Sequence, residues 1–191
     1  LAVLQPLIKD DVHICEYGSG VAPFSFSLCN IVRPNINMDI SLTDVDGCEH
    51  LIFGNWRLNK IKENRELNGL NIHVKPVKPN ELPTYDKKID VAILFEVLEH
   101  VPSPMKTLAN LMKQMNSKAI LIENFIKHEH GPNEEPGCDL LSAAKERDQY
   151  YEILKSGNAN TYFKWLSENK PNQAAQIKQR AKAWSKYIKN K

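Results

Sequence analysis

The sequence predicts an α/β fold: a mostly parallel sheet with helices on both faces and a helical C-terminal extension. Three observations predict it. Short apolar runs bounded by turn residues alternate with longer stretches whose apolar residues recur three or four apart. A glycine turn follows the first apolar run directly. Beyond about residue 127 the alternation stops and only helical periodicity continues. Alternating strands and helices imply right-handed crossovers and a parallel sheet, whose ligands bind outside the carboxyl ends of the strands.

The strands are expected at residues 12–17, 37–44, 71–77, 90–95 and 119–124, and the helices at 22–31, 48–64 and 104–115. The third helix has the clearest signature. Ser103 is placed to cap it, Pro104 suits its first turn, and Met105, Leu108, Leu111, Met112 and Met115 fall on one face as packing residues. Further on, 139–154 reads as a helix and 157–160 as a break. A last helix follows Pro171, with Ala174, Ile177, Ala181, Trp184 and Ile188 along one face. No sixth or seventh strand is evident. Residues 1–127 therefore form a ligand-binding core, and 128–191 a helical extension that is a candidate substrate lid.

At 191 residues the chain fits one ordinary domain, and its net charge of +2 does not announce nucleic-acid binding. Its apolar fraction of 42% still allows a core if the pattern is good. No apolar run approaches the roughly 20 residues of a membrane helix, and no secretory signal is visible. The chain starts at Leu1 instead of Met and reads as a fragment whose natural start lies upstream. Cys15, Cys29, Cys48 and Cys138 form no C-x-x-C pair, which argues against a zinc knuckle or dithiol site. Cys15 and Cys29 lie among apolar residues and read as buried thiols, which suits the cytoplasm.

Three segments carry chemistry. In Ile14-Cys15-Glu16-Tyr17-Gly18-Ser19-Gly20 an apolar strand ends in an acid and enters a turn. Gly18 and Gly20 let the backbone turn sharply and approach a ligand, and the next helix can aim amides at it. A carboxylate there would repel a pyrophosphate, and Pro23 stands where a dinucleotide fingerprint has its third glycine. S-adenosylmethionine has no phosphate and carries an ammonium group that Glu16 could hold, directly or through water. In Leu42-Thr43-Asp44-Val45-Asp46-Gly47 a second strand delivers Asp44, whose carboxylate could accept both ribose hydroxyls, while Asp46 is placed to cap the following helix. The run from Asp90 to Phe95 ends at Glu96-Val97-Leu98-Glu99-His100-Val101-Pro102, which sets Phe95 and Glu96 at the mouth of the sheet.

The order of Glu16-x-Gly18-x-Gly20, Asp44, Asn80-Glu81-Leu82-Pro83 and the run from Phe95 to Pro102 resembles class I methyltransferases over about residues 10–125. It is especially similar to the small-molecule branch that includes ubiquinone and menaquinone biosynthesis enzymes. The resemblance implies a Rossmann-like, seven-stranded sheet, S-adenosylmethionine as cofactor, and methyl transfer to O, N, C or S of a small-molecule substrate. Glu16, Gly18, Gly20, Asp44, Asn80, Phe95 and Glu96 are then the cofactor-binding residues. Asn80 stands in for an acid that the family carries after its third strand. The helix that usually precedes the first strand is mostly missing from this sequence, and the last two strands are hard to find in it.

A sulfonium is already an activated methyl donor, so the protein must align the acceptor and exclude water. Where a general base is needed, His100, His128 and His130 are the candidates. No metal site is assigned. A rival reading does use a metal: Glu96-x-x-Glu99-His100 with a downstream histidine is similar to small-RNA 2′-O-methyltransferases, with His128 and His130 as further ligands. Two others are a non-catalytic binding domain and an oxidoreductase. Lys178, Arg180, Lys182, Lys186, Lys189 and Lys191 read as a solvated helix face before they read as a phosphate contact. Tyr150, Tyr151, Tyr162, Phe163 and Trp165 read as packing residues before they read as part of a lid.

Overall fold

The computed structural model describes residues 8–78 and 81–123 together with Ala143, Glu146 and Arg147. Its strands are β1 (Val12–Tyr17), β2 (Met38–Val45), β3 (Leu70–Val77), β4 (Ile89–Leu94) and β5 (Met115–Glu123). They form one sheet in the order β3-β2-β1-β4-β5, and each neighbouring pair is parallel. Helix α1 (Pro23–Cys29) joins β1 to β2, α2 (Glu49–Asn64) joins β2 to β3, and α3 (Pro104–Gln114) joins β4 to β5. The strand order therefore reverses between β1 and β4. Chains leaving those two strands diverge, and a crevice opens between them at the carboxyl ends.

Alternation along the strands divides the core in two. Ile14, Ile40 and Leu42 pack with Leu28 of α1 and with Leu51, Leu58 and Ile61 of α2. Cys15, Tyr17, Ala92 and Leu94 pack instead with Leu108 and Leu111 of α3 and with Ala143. All six residues of β1 are buried, as a central parallel strand covered on both faces requires. Burying each large side chain such as Leu28 or Leu58 contributes about 1.5–3 kcal/mol. Over β1 and β2 the second face also carries polar groups. Tyr85 closes it: the Cys15 thiol donates to the Tyr85 hydroxyl at 3.2 Å, and that hydroxyl lies 2.8 Å from Thr43 Oγ1. Burial pushes the Cys15 thiol up to about 12. Cys15 and Cys29 are buried free thiols, while Cys138 lies outside the described residues.

Several local expectations change. Ala22 is not helical: it is the N-cap of α1, with φ +55°. Asp46 does not cap α2, whose N-cap is Cys48; the Asp46 amide donates instead to Val77 O, binding the turn to the end of β3. Ser103 is the N-cap of α3, but its hydroxyl makes no cap bond. On that helix Leu108 and Leu111 are buried, whereas Met112 is exposed. β5 begins at Met115, earlier than its apolar run suggests, because the chain enters the sheet directly from α3. The expected helices beyond residue 127 lie outside the described residues, except that Ala143, Glu146 and Arg147 are helical. Among the described residues no helix is long and apolar enough to cross a membrane.

Candidate functional site

The turn after β1 is shaped by three residues with positive φ: Gly18 (+64°), Gly20 (+48°) and Ala22 (+55°). Gly18 has a steric reason as well as a conformational one. A Cβ there would lie 2.2 Å from Val97 Cγ2, so only glycine lets this turn meet the chain leaving β4. A Cβ on Gly20 would meet open space. The turn is tied to β2 by Ser19 N donating to Thr43 O at 3.0 Å and by Gly20 N donating to Asp44 Oδ2 at 2.6 Å. Gly54 of α2 lies close behind, since a Cβ on it would stand 2.9 Å from Gly20 O.

Glu16 holds the start of α1. Its Oε1 accepts the Phe24 amide at 3.2 Å and its Oε2 the Ser25 amide at 2.8 Å. Ala22 has no side-chain acceptor, so Glu16 supplies the cap from inside the sheet. The carboxylate is buried, and burial pushes its pKa up, against the pull of the helix amides. Glu16 therefore sits behind the turn.

Asp44, the penultimate residue of β2, is half-buried, with Oδ1 accepting the Val45 amide at 2.7 Å and Oδ2 accepting that of Gly20. Each carboxylate oxygen keeps a further lone pair for a ligand. After β4, Phe95 turns away and stacks on Phe24, with ring centroids 4.5 Å apart and planes 16° from parallel. Glu96 is exposed and adopts φ +54°, a left-handed conformation that costs a non-glycine residue about 1 kcal/mol or more. Val97 then packs against Gly18.

These ends enclose a cavity of about 530 Å³, within the range of small-molecule and cofactor sites. Gly18 and Asp44 line it from β1 and β2, Val77, Lys78 and Glu81 from β3, and Glu96, Val97 and His100 from β4. Ser103, Lys106 and Thr107 add the first turn of α3. Of the expected site residues, Gly18, Asp44, Glu96 and His100 thus meet at one cavity. Glu16, Gly20 and Phe95 do not line it: Glu16 caps α1, Gly20 bonds Asp44 and Phe95 stacks on Phe24. Asn80, His128 and His130 lie outside the described residues. Among the described residues no group of three or more His, Cys, Asp or Glu could hold a metal ion, so Glu96, Glu99 and His100 form no such group.

Sequence reasoning missed Tyr17, Lys78, Glu81, Ser103, Lys106 and Thr107 as lining residues. A signal existed for some of them. Ser103, Lys106 and Thr107 open the helix after the strand that borders the crevice, a position the topology marks in advance. Glu81 directly follows Asn80 in sequence, so an acid after the third strand was visible there.

Residues 1–154 match the family described as a methyltransferase domain. No curated protein matches the chain in sequence. A SAM-dependent methyltransferase from Aquifex aeolicus superposes with a TM-score of 0.51 at 20% identity, over 69% of this chain and 67% of that one, and shows the same fold. The StiE O-MT superposes at 0.47 with 14% identity over 59% of this chain, and the cyclase SpnF at 0.46 with 14% identity over 60%. The chain spans only 37% and 39% of the lengths of these two.

Proposed function

Because the chain belongs to the methyltransferase-domain family, we propose that it transfers a methyl group from S-adenosylmethionine to a small-molecule acceptor. The observation that carries this reading is the cavity at the strand-order reversal, where Asp44 presents a carboxylate beside a glycine turn. The residues present fit the cofactor. Asp44 would accept the ribose hydroxyls, and Gly18 keeps the adjoining wall free of a side chain. Glu81, four residues beyond the end of β3, is the acid proposed for the adenine amino group, with Asn80 beside it in sequence. Glu96 and Val97 would border the methyl end.

When bound, S-adenosylmethionine supplies a methyl group already activated by its sulfonium. The protein's own work is to orient and to dry the site. Val97, Val101, Pro102 and Leu82 provide apolar wall that excludes water. Glu16, Gly20 and Phe95 hold the turns: Glu16 by capping α1, Gly20 by its bond to Asp44, and Phe95 by its stack on Phe24. His100, exposed at the cavity, would take the acceptor's proton on an imidazole nitrogen; His128 and His130 are the other proposed bases. Residues 1–127 form the cofactor-binding core in this reading, and 128–191 an extension on the acceptor side. Buried Cys15 and Cys29 suit a cytoplasmic protein.

Calorimetric titration with S-adenosylmethionine, S-adenosylhomocysteine and, separately, NAD tests the reading. The first two should bind at about micromolar Kd and NAD should not. Asp44→Ala should weaken S-adenosylmethionine by at least about tenfold, the loss of a charged hydrogen bond. Equal affinity would remove Asp44 from the ribose site. Once an acceptor is found, His100→Ala should lower kcat by about a hundredfold if His100 is the base. Unchanged kcat would rule it out.

A further inference from the structure

The N-terminus of α3 forms part of the cavity wall, yet nothing local caps it. Its cap comes from far along the chain. The Ser103 hydroxyl donates to Glu146 Oε1 at 3.0 Å, and the Met105 amide donates to Glu146 Oε2 at 2.7 Å. Ser103, Lys106 and Thr107 line the cavity on this same turn. The segment that brings Glu146 is anchored on both sides of it. Ala143 is buried in the core cluster with Leu98 and Leu108, and Arg147 is buried as well. Spacings of three and four place all three residues on one helical face.

We propose that Glu146 is a positioning residue for the cavity: its carboxylate fixes Ser103 and the first turn of α3, and so sets the wall that faces the bound cofactor and acceptor. The geometry supplies the reason. An uncapped helix start frays within its first turn, and here that turn carries three lining residues. A carboxylate is suited to the place because it accepts two hydrogen bonds and meets the positive end of the helix dipole. The cavity's shape thus depends on chain that follows β5. The inference rests on the cofactor reading for what occupies the cavity, but the latch itself is independent of it.

The test uses the full chain with Glu146→Ala and Glu146→Gln, and two readouts. Amide hydrogen exchange at Met105 should speed at least about tenfold in Glu146→Ala, the loss of a charge-assisted bond. The Kd for S-adenosylhomocysteine, measured well below melting, should rise about tenfold in the same variant. Glu146→Gln keeps an acceptor but loses the charge, and should shift each readout about threefold. If Glu146→Ala does not fold, Glu146→Gln decides on the same readouts. A lower melting temperature with unchanged Kd would show a merely structural contact and overturn the proposal. So would unchanged exchange at Met105. If the wild type bound no S-adenosylhomocysteine, the cofactor reading would fall and the exchange result alone would decide the latch.

Discussion

The two turns that flank the crevice solve one problem in different ways. Both lead from the carboxyl end of a strand into a helix with proline in its first turn, and in neither does the N-cap side chain cap the helix. Both helices take a carboxylate instead. For α1 it is Glu16, buried in the preceding strand and only eight and nine residues from the amides it accepts. For α3 it is Glu146, 41 residues beyond the Met105 amide. The cap of α1 is local, so it is in place once β1 and α1 pack. The second is finished only when distant chain arrives. Changes beyond β5 should therefore reach the α3 side of the cavity and leave the glycine turn alone.

The sharpest way to break this comparison is to damage the glycine turn where it meets the other. Gly18→Ala combines a left-handed φ with a Cβ inside Val97, and should cost about 2–4 kcal/mol in urea unfolding. Gly20→Ala has the same backbone problem but open space, and should cost only about 1 kcal/mol. Adding Val97→Ala to Gly18→Ala should recover part of the loss that Gly18→Ala causes. If the two glycine variants cost the same, the Gly18–Val97 contact does not join the turns.

Next in size is Glu16→Ala, which leaves the Phe24 and Ser25 amides without their acceptor and should cost about 2–3 kcal/mol. The pH dependence has a definite sign. Burial raises the folded-state pKa of Glu16 above its unfolded value. The contribution it makes is then fully present below the unfolded pKa and is lost as pH rises through the folded one. Glu16→Gln cannot ionise and loses nothing over that window. As pH rises above the ordinary glutamate range its stability should therefore rise relative to wild type. A gap that moves the other way would mean that the helix amides, not burial, govern this carboxyl.

Much of the fold was legible because the signals are local. β1 matches its expected bounds, since six apolar or buried residues run without a break into glycine. The placement of Gly18, Asp44 and Glu96 at the mouth of the sheet was legible because each lies within two residues of a strand's carboxyl end. What was misread depended on partners. Asp46 and Ser103 have the right chemistry for caps, but the N-cap of α2 falls on Cys48 and the Ser103 hydroxyl is taken by Glu146. Phe95 is at the mouth of the sheet by position, yet Phe24 offers its ring a better surface than open cavity. Gly54 looks like an ordinary weak spot in a helix until the Gly20 carbonyl is found against it.

By itself the sequence determined the alternation of strands and helices, the glycine turn and the acid near the end of the second strand, because period and turn chemistry act over a few residues. Only the tertiary structure decided which side chains share the cavity, that Glu16 serves α1, and that Glu146 completes α3. Those outcomes rest on groups brought together across the sheet, and no residue carries in its own neighbourhood the identity of the distant group that will satisfy it.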